Sequence, residues 1–343
     1  MTTTPAPVPV LVTLGFPDSF LDAVRAVDTR IVVHHHPVPD DGDVTGVVPA
    51  DVLASAEVMY TSALLPGPQE APALRWAQLD TSGVDHCRGT GLWEGPATIT
   101  TLGGVSPAPL AEWIIMVVLA HAHRLRETER YAAQRTWPDR ATRWSQLMPR
   151  NLRTSTLGIV GYGRIGAEVA RLARALGMEV VALRRSPAPD ATAPRFNSAA
   201  SVPDVEVLSP HQLPELLRRS DYVALTVPLT PETQGMIGAT ELAAMKPGSV
   251  LVNGSRGGVV DEDALLAALD DGPLDMVASD VFAQEPLPTD HPLWNHPQSM
   301  VTPHVAGFAP DYLEAVTALF TENLRRHLDG APLLNVADRE RGY

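Results

Sequence analysis

The chain has one cysteine, Cys87, and one lysine, Lys246. A lone thiol cannot close an intrachain disulfide or build a cysteine metal cluster, so no metal site is expected. Lys246 is followed by Pro247, so the Gly-Lys-Ser/Thr of a phosphate-binding P-loop is missing. Beside Pro247-Gly248, in an expected turn, it is also a poor candidate for the buried amine of Schiff-base chemistry. No run of about 18 uncharged apolar residues occurs, and none is expected to span a membrane. Trp113 to Ala120 is apolar, but Glu112 and His121 bound it. The opening MTTTPAPVPV has no basic stretch followed by an apolar one, so no signal peptide is expected and the reading is cytoplasmic. Positive charge is scarce too. The formal net charge of −14 argues against general nucleic-acid binding.

What the chain does have is centred on Thr156 to Ser186. Thr156-Leu-Gly-Ile-Val160 is an apolar run short enough for a buried strand. Gly161, Gly163 and Gly166 follow in G-x-G-x-x-G spacing. Ala167, Val169, Ala170, Leu172, Ala173 and Leu176 then recur at helical period, Gly177 stops the helix, and Met178 to Leu183 is a second apolar run. Strand, tight turn, helix and strand in that order read as a dinucleotide-binding unit. Gly161 permits the turn, Gly163 lets a pyrophosphate approach the backbone, and Gly166 lets helix and strand pack closely. Tyr162, Arg164 and Ile165 complete the loop, and the helix N-terminus offers N–H groups and the positive end of its dipole.

At 343 residues two domains with real cores are expected. Val8 to Leu14 reads as a strand, Ser19 to Val27 as a helix, and Arg30 to His36 as a strand. The run His34-His35-His36 invites a metal reading, but alternate strand residues face opposite sides and cannot share one ion. Glu57 to Thr61, Leu74 to Leu79 and Ala97 to Thr101 are further short strands. Leu79-Asp-Thr-Ser-Gly-Val-Asp85 is a strand ending in a small-residue turn, able to present N–H groups to an anion but more often only a turn. Ala108 to Tyr131 reads as a single helix of ~24 residues and ~36 Å, long enough to bridge domains or form a dimer. Trp137 and Trp144 lie in a polar arm that fits a surface loop or a partner subunit equally. Pro187 to Val207 reads as a long loop. Beyond it helices (211–219, 239–245, 262–269) alternate with strands (221–227, 249–253, 276–281, 300–303), and 312–328 reads as a closing helix. The fold class is therefore α/β with parallel sheets covered on both faces.

In such sheets ligands bind beyond the carboxyl ends of the strands. Past Val250-Leu-Val252 stands Asn253-Gly-Ser-Arg256, past Met276-Val277 come Ser279-Asp280 and then Glu285, and past Val301 comes Thr302-Pro-His304. The types suit hydride transfer to a 2-oxo acid. Arg256 can hold the carboxylate by paired hydrogen bonds and favour negative charge on the carbonyl oxygen. His304 can supply the proton, and Glu285 can orient its ring and favour its protonated form. Taken singly, each could be ordinary: a packed strand-end histidine, a surface arginine, a loop acid.

With these motifs the chain resembles the D-isomer-specific 2-hydroxyacid dehydrogenases. The resemblance runs over most of its length and is densest in GIVGYGRIG, VPLTPETQGMIG, MKPGSVLVNGSRGGVVDEDAL, SDVFAQEPLP and VTPHVAG. It implies catalytic Arg256, Glu285 and His304, and Asp280 near the nicotinamide carboxamide. It gives Ser82-Gly83-Val84, with Arg256, the substrate-carboxylate role. It extends the cofactor surface to Val227, Pro228, Thr233, Gly254, Ser255, His304 and Gly307. It implies a Rossmann-type cofactor domain (103–306) inserted in a flavodoxin-like substrate domain (1–102 plus 307–343), and a homodimer paired through the long-helix region. The sequence departs from the pattern after the second strand. NAD-using relatives carry Asp there, whereas this chain has Arg184-Arg185-Ser186, which attract a 2′-phosphate. The expected cofactor is thus NADP(H), with NAD(H) possible, and the expected reaction is reduction of a small 2-oxo acid of glyoxylate or hydroxypyruvate type.

Rival enzyme classes lack their residues. The Tyr-x-x-x-Lys of short-chain dehydrogenases fails because position 242 is leucine, and β-hydroxyacid dehydrogenases rely on a catalytic lysine. A dinucleotide-sensing regulator or corepressor on the same fold remains the alternative.

Overall fold

The computed structural model describes residues 6–39, 44, 46–185, 195–197 and 202–343. The chain divides into two compact units, Met1–Ser106 with Asp190–Ser198 and Ala309–Tyr343, and Pro107–Pro189 with Ala199–Phe308.

In the first unit β1 (Val8–Val12), β2 (Ile31–His35), β3 (Val58–Thr61), β4 (Trp76–Leu79) and β5 (Thr98–Thr100) form one sheet in the order β2-β1-β3-β4-β5. All these pairs are parallel, in the flavodoxin-like order. Side chains alternate between two cores, as the two-residue period of a strand requires. Val10, Val58, Tyr60 and Trp76 face one cluster, and Leu11, Met59, Ala77 and Leu79 face the other. The closing helix Tyr312–Leu328 covers the first cluster with Val316, Leu319, Phe320 and Leu324, one face at helical spacing. Each of these side chains is worth ~1.5–3 kcal/mol buried. The expected histidine strand ends at His35, whose Nε2 meets the carbonyl of Leu14 at 2.8 Å.

The second unit holds seven strands: β6 (Thr156–Val160), β7 (Glu179–Leu183), β8 (Glu206–Leu208), β9 (Tyr222–Leu225), β10 (Ser249–Asn253), β11 (Leu274–Ser279) and β12 (Ser299–Val301). Their order is β12-β11-β10-β9-β6-β7-β8, and the pairs are parallel throughout. The chain starts mid-sheet at β6, runs to one edge, and resumes on the other side at β9. The reversal between β6 and β9 is the topological switch point of a doubly wound sheet, and its carboxyl side is where such folds take ligands. The central strands are buried on both faces, which explains their unbroken apolar runs.

Two expectations need correction. The single helix over 108–131 is two, Pro107–Ala122 and Leu125–Ala133, parted at Arg124, whose φ of 54° is left-handed. The first buries Ile114, Val117, Val118 and His121, while the second buries nothing. With no apolar face to keep it on the core, the polar continuation turns away, and the first helix is ~24 Å long rather than ~36 Å. The loop read over 187–207 runs into β8 (Glu206–Leu208), a three-residue edge strand paired with Val181 to Leu183. The rest of that loop, apart from 195–197 and 202–205, lies outside the described residues. The two units part at 106/107 and 308/309, and 190–198 groups with the first. There Phe196 packs on the first unit's core and donates its N–H to Asn335 Oδ1 at 3.2 Å.

Among the described residues no helix is long and apolar enough to cross a membrane.

Candidate active site

The glycine loop leaves β6 at the switch point. Gly161 has φ of +111°, and a Cβ there would stand 2.7 Å from the carbonyl carbon of Thr226, so the exits of β6 and β9 run against each other. Thr226 seals that contact, its hydroxyl donating to the Gly161 carbonyl at 2.7 Å. A Cβ on Gly166 would overlap the Gly161 carbonyl oxygen, which fixes helix Arg164–Ala175 tightly on the turn. Around Gly163 nothing lies within 4 Å of a would-be Cβ. Gly163 is also the N-cap of that helix, and no side chain caps it. Two glycines demanded by packing and one facing open space at a helix N-terminus are what a pyrophosphate needs, so these residues fit a dinucleotide.

At the end of β7, Arg184 lies with its guanidinium carbon 5.6 Å from the centre of the Tyr162 ring, and Arg185 is exposed. This puts positive charge beside the loop at the end of the second strand. Ser186 lies outside the described residues. Of the other expected cofactor residues, Thr233 donates to the Pro228 carbonyl at 2.6 Å and accepts from Thr230 N, so it shapes the loop that begins at Val227. Gly254 lies against Leu110, 3.0 Å from its would-be Cβ. Ser255 is buried and bonds Asn253 through both its N–H and its hydroxyl.

Arg256, Glu285 and His304 come after β10, β11 and β12, three adjacent strands, at their carboxyl ends. Asn253 supports the arginine by donating from Nδ2 to the Arg256 carbonyl at 3.2 Å. Glu285 accepts from Phe282 N at 2.9 Å through Oε1, and its Oε2 lies 2.7 Å from His304 Nδ1. With Nδ1 engaged, Nε2 is the ring nitrogen left to exchange a proton with a ligand. The ring is half exposed, and His304 itself has φ of 54°, a left-handed conformation that a non-glycine residue adopts only when its surroundings enforce it.

Asp280 enforces it. It is 2% exposed. Its Oδ1 accepts from Thr302 Oγ1 at 2.5 Å and Val305 N at 3.0 Å, its Oδ2 accepts from Ala306 N at 2.9 Å, and its carbonyl accepts from His304 N at 2.9 Å. The turn through Gly307 thus hangs from one buried carboxylate. The sequence carries no sign of this bonding by Asp280, nor of the supporting bonds of Thr302 and Asn253. A polar residue ending a buried strand was the available signal of position alone.

Ser82, Gly83 and Val84 belong to the first unit, just past β4. Ser82 is exposed and Val84 buried, and the turn is closed by Thr81 Oγ1 donating to the Gly83 carbonyl at 2.7 Å.

Comparison with known proteins adds to this geometry. Residues 115–306 match the family described as "D-isomer specific 2-hydroxyacid dehydrogenase, NAD binding domain". The chain is 34% identical to a glyoxylate reductase of Aeropyrum pernix over 71% of its own length and 70% of the relative's. It is 36% identical to an (S)-sulfolactate dehydrogenase of Chromohalobacter salexigens, over 73% and 74%. Among solved structures, it resembles a D-isomer specific 2-hydroxyacid dehydrogenase from Xanthobacter autotrophicus in complex with NADPH, with TM-score 0.79 and 26% identity over 99% of this chain and 100% of that one. An NADPH-dependent glyoxylate/hydroxypyruvate reductase from Sinorhizobium meliloti, in complex with NADP, gives TM-score 0.79 and 26% identity over 98% and 100%.

Proposed function

The chain belongs to the D-isomer-specific 2-hydroxyacid dehydrogenase family, NAD(P)-dependent oxidoreductases of 2-oxo and 2-hydroxy acids, and from that premise we propose that it uses NADPH to reduce a small 2-oxo acid of the glyoxylate or hydroxypyruvate kind. The product is the matching 2-hydroxy acid, of D configuration where the carbon is chiral. The observation that carries this reading is the 2.7 Å bond between His304 Nδ1 and Glu285, at the carboxyl ends of the strands that also deliver Arg256.

The glycine loop and the helix that starts at Arg164 would hold the cofactor's pyrophosphate, and Arg184 and Arg185 its 2′-phosphate. When bound, the nicotinamide supplies the hydride. Arg256 orients the substrate by its carboxylate and favours the negative charge that grows on the carbonyl oxygen. Resemblance to the family assigns the Ser82–Val84 turn to the substrate's carboxylate. His304 carries a proton on Nε2 and gives it to that oxygen, while Glu285 fixes the ring and stabilises its charged form. Asp280 holds the histidine's turn in place. NADPH-bound relatives and the arginines after β7 support the cofactor preference. The exposed apolar residues of the arm after Arg124 support pairing as a homodimer.

The test is loss of NADPH absorbance with glyoxylate, hydroxypyruvate and larger 2-oxo acids. Turnover with one of the two small acids is expected. Tight NADPH binding without turnover on any acid contradicts the proposal and favours a dinucleotide sensor.

A further inference from the structure

The Ser82–Val84 turn is reached through Asp80, and Asp80 is gripped from two sides. Its Oδ1 accepts the hydroxyl of Tyr60 at 2.7 Å and that of Tyr312 at 2.9 Å. Tyr60 comes from β3 and is fully buried among Phe16, Phe20 and Phe320. Tyr312 is the first residue of the closing helix. The two hydroxyls therefore reach the same oxygen from a rigid aromatic cluster and from a helix root far away in sequence.

The turn needs such an anchor. The ladder of β4 ends where Asp80 N donates to the Thr61 carbonyl at 2.9 Å. Beyond it, the Thr81 carbonyl accepts from Leu102 N at 2.9 Å, and the Thr81 hydroxyl closes the turn on Gly83. Asp80 thus sits where the β4 ladder ends and the turn begins, two residues before Ser82. Two O–H donors on one carboxylate oxygen leave its charge in place but stabilise it and fix its position, and hydrogen bonds to a charged acceptor are the strong kind. Burial, and after it the negative charge of Asp80, pushes both phenols well above the ordinary tyrosine value, so both stay protonated as donors.

We propose that Asp80, clamped by the hydroxyls of Tyr60 and Tyr312, is the positioning residue that sets the Ser82–Val84 turn for the substrate's carboxylate. The inference rests on the proposed function, in which this turn binds that group. It adds a device outside the turn itself: a buried phenol and the first residue of the closing helix jointly determine how well the acid is held.

Steady-state kinetics of the full chain with hydroxypyruvate and glyoxylate at saturating NADPH test it. Tyr312→Phe keeps the ring and removes one donor. KM for the acid should rise about tenfold, with kcat and the KM for NADPH within about twofold of wild type. Asp80→Asn should give the same split, and the double variant should be no worse than Asp80→Asn, because both remove one clamp. If Asp80→Asn fails to fold, Tyr312→Phe still decides. A lowered melting temperature with KM unchanged makes the clamp merely structural and overturns the inference, as does a double variant whose KM effects multiply. Wild-type turnover with unchanged KM in Tyr312→Phe defeats this inference alone. Absence of wild-type turnover defeats it together with the functional reading.

Discussion

Asp280 Oδ2 accepts the backbone N–H of Ala306 at 2.9 Å, so the turn carrying His304 is set by a carboxylate that need not touch the imidazole. Replacing it leaves buried N–H groups without their acceptor. Asp280→Ala should cost ~2–3 kcal/mol of stability and lower kcat by ~10–100-fold as His304 leaves its left-handed conformation. Asp280→Asn, which keeps one acceptor oxygen, should fall between. Thermal melts read beside steady-state rates check this, and an Asp280→Ala enzyme with wild-type kcat speaks against it.

The arginines after β7 are expected to choose the cofactor. Arg184→Ala combined with Arg185→Ala should raise the KM for NADPH by ~10–100-fold and leave that for NADH nearly unchanged, since only NADPH carries the extra phosphate. Wild-type enzyme preferring NADH in kcat/KM would remove the basis of this assignment.

At the amino end of β11, Asp275 Oδ2 meets His121 Nε2 at 2.9 Å, Arg150 at 3.0 Å and Arg124 at 3.5 Å. The hydrogen bond from His121, then its charge and those of the arginines, hold the Asp275 carboxyl below its ordinary 3.8 against the opposing effect of burial. A depressed folded value means stability that is complete above the ordinary carboxylate range and lost as pH falls through the folded pKa. Melting temperature should therefore drop below about pH 4, partly through this group. Asp275→Asn should lose ~1–3 kcal/mol at neutral pH and show a shallower acid slope. Equal slopes in variant and wild type would exclude Asp275 as a source.

The arm after Arg124 exposes Leu125 (46%), Trp137 (84%), Trp144 (60%) and Met148 (43%). A tryptophan can bury ~150–250 Å², so a second copy laid on this stretch would gain considerably. Sedimentation should give a dimer for the 36.8 kDa chain, and Trp137→Ser with Trp144→Ser should shift it toward monomer. A wild-type chain that stays monomeric at micromolar concentration contradicts the pairing.

Much of the fold and of the site was legible in the sequence where one physical constraint acts alone. β6 and β10 are buried on both faces, so they read as unbroken apolar runs, and the residues just beyond each run lie by geometry at the ligand edge. That logic puts Gly161 and Arg256 just past β6 and β10. It failed where the constraint is tertiary. The helical pattern continues through Arg124, but the core it packs on ends at Ala122, and the pattern carries no mark of that. β8 has one buried residue, Leu208, and an edge strand of three leaves no alternation to detect. The partners of Asp280 include backbone N–H groups 25 and 26 residues away, which no side-chain spacing encodes. The grip of Tyr60 and Tyr312 on Asp80 joins β3 to the closing helix and was equally invisible.

Proton transfer by His304 is the step on which the proposed chemistry depends. The most direct measurement compares NADPH consumption by wild type and His304→Ala, each at saturating NADPH and the best 2-oxo acid. A fall in kcat of ~10² or more, with NADPH affinity retained, is expected of a lost general acid. A His304→Ala enzyme that turns over at the wild-type rate would contradict it.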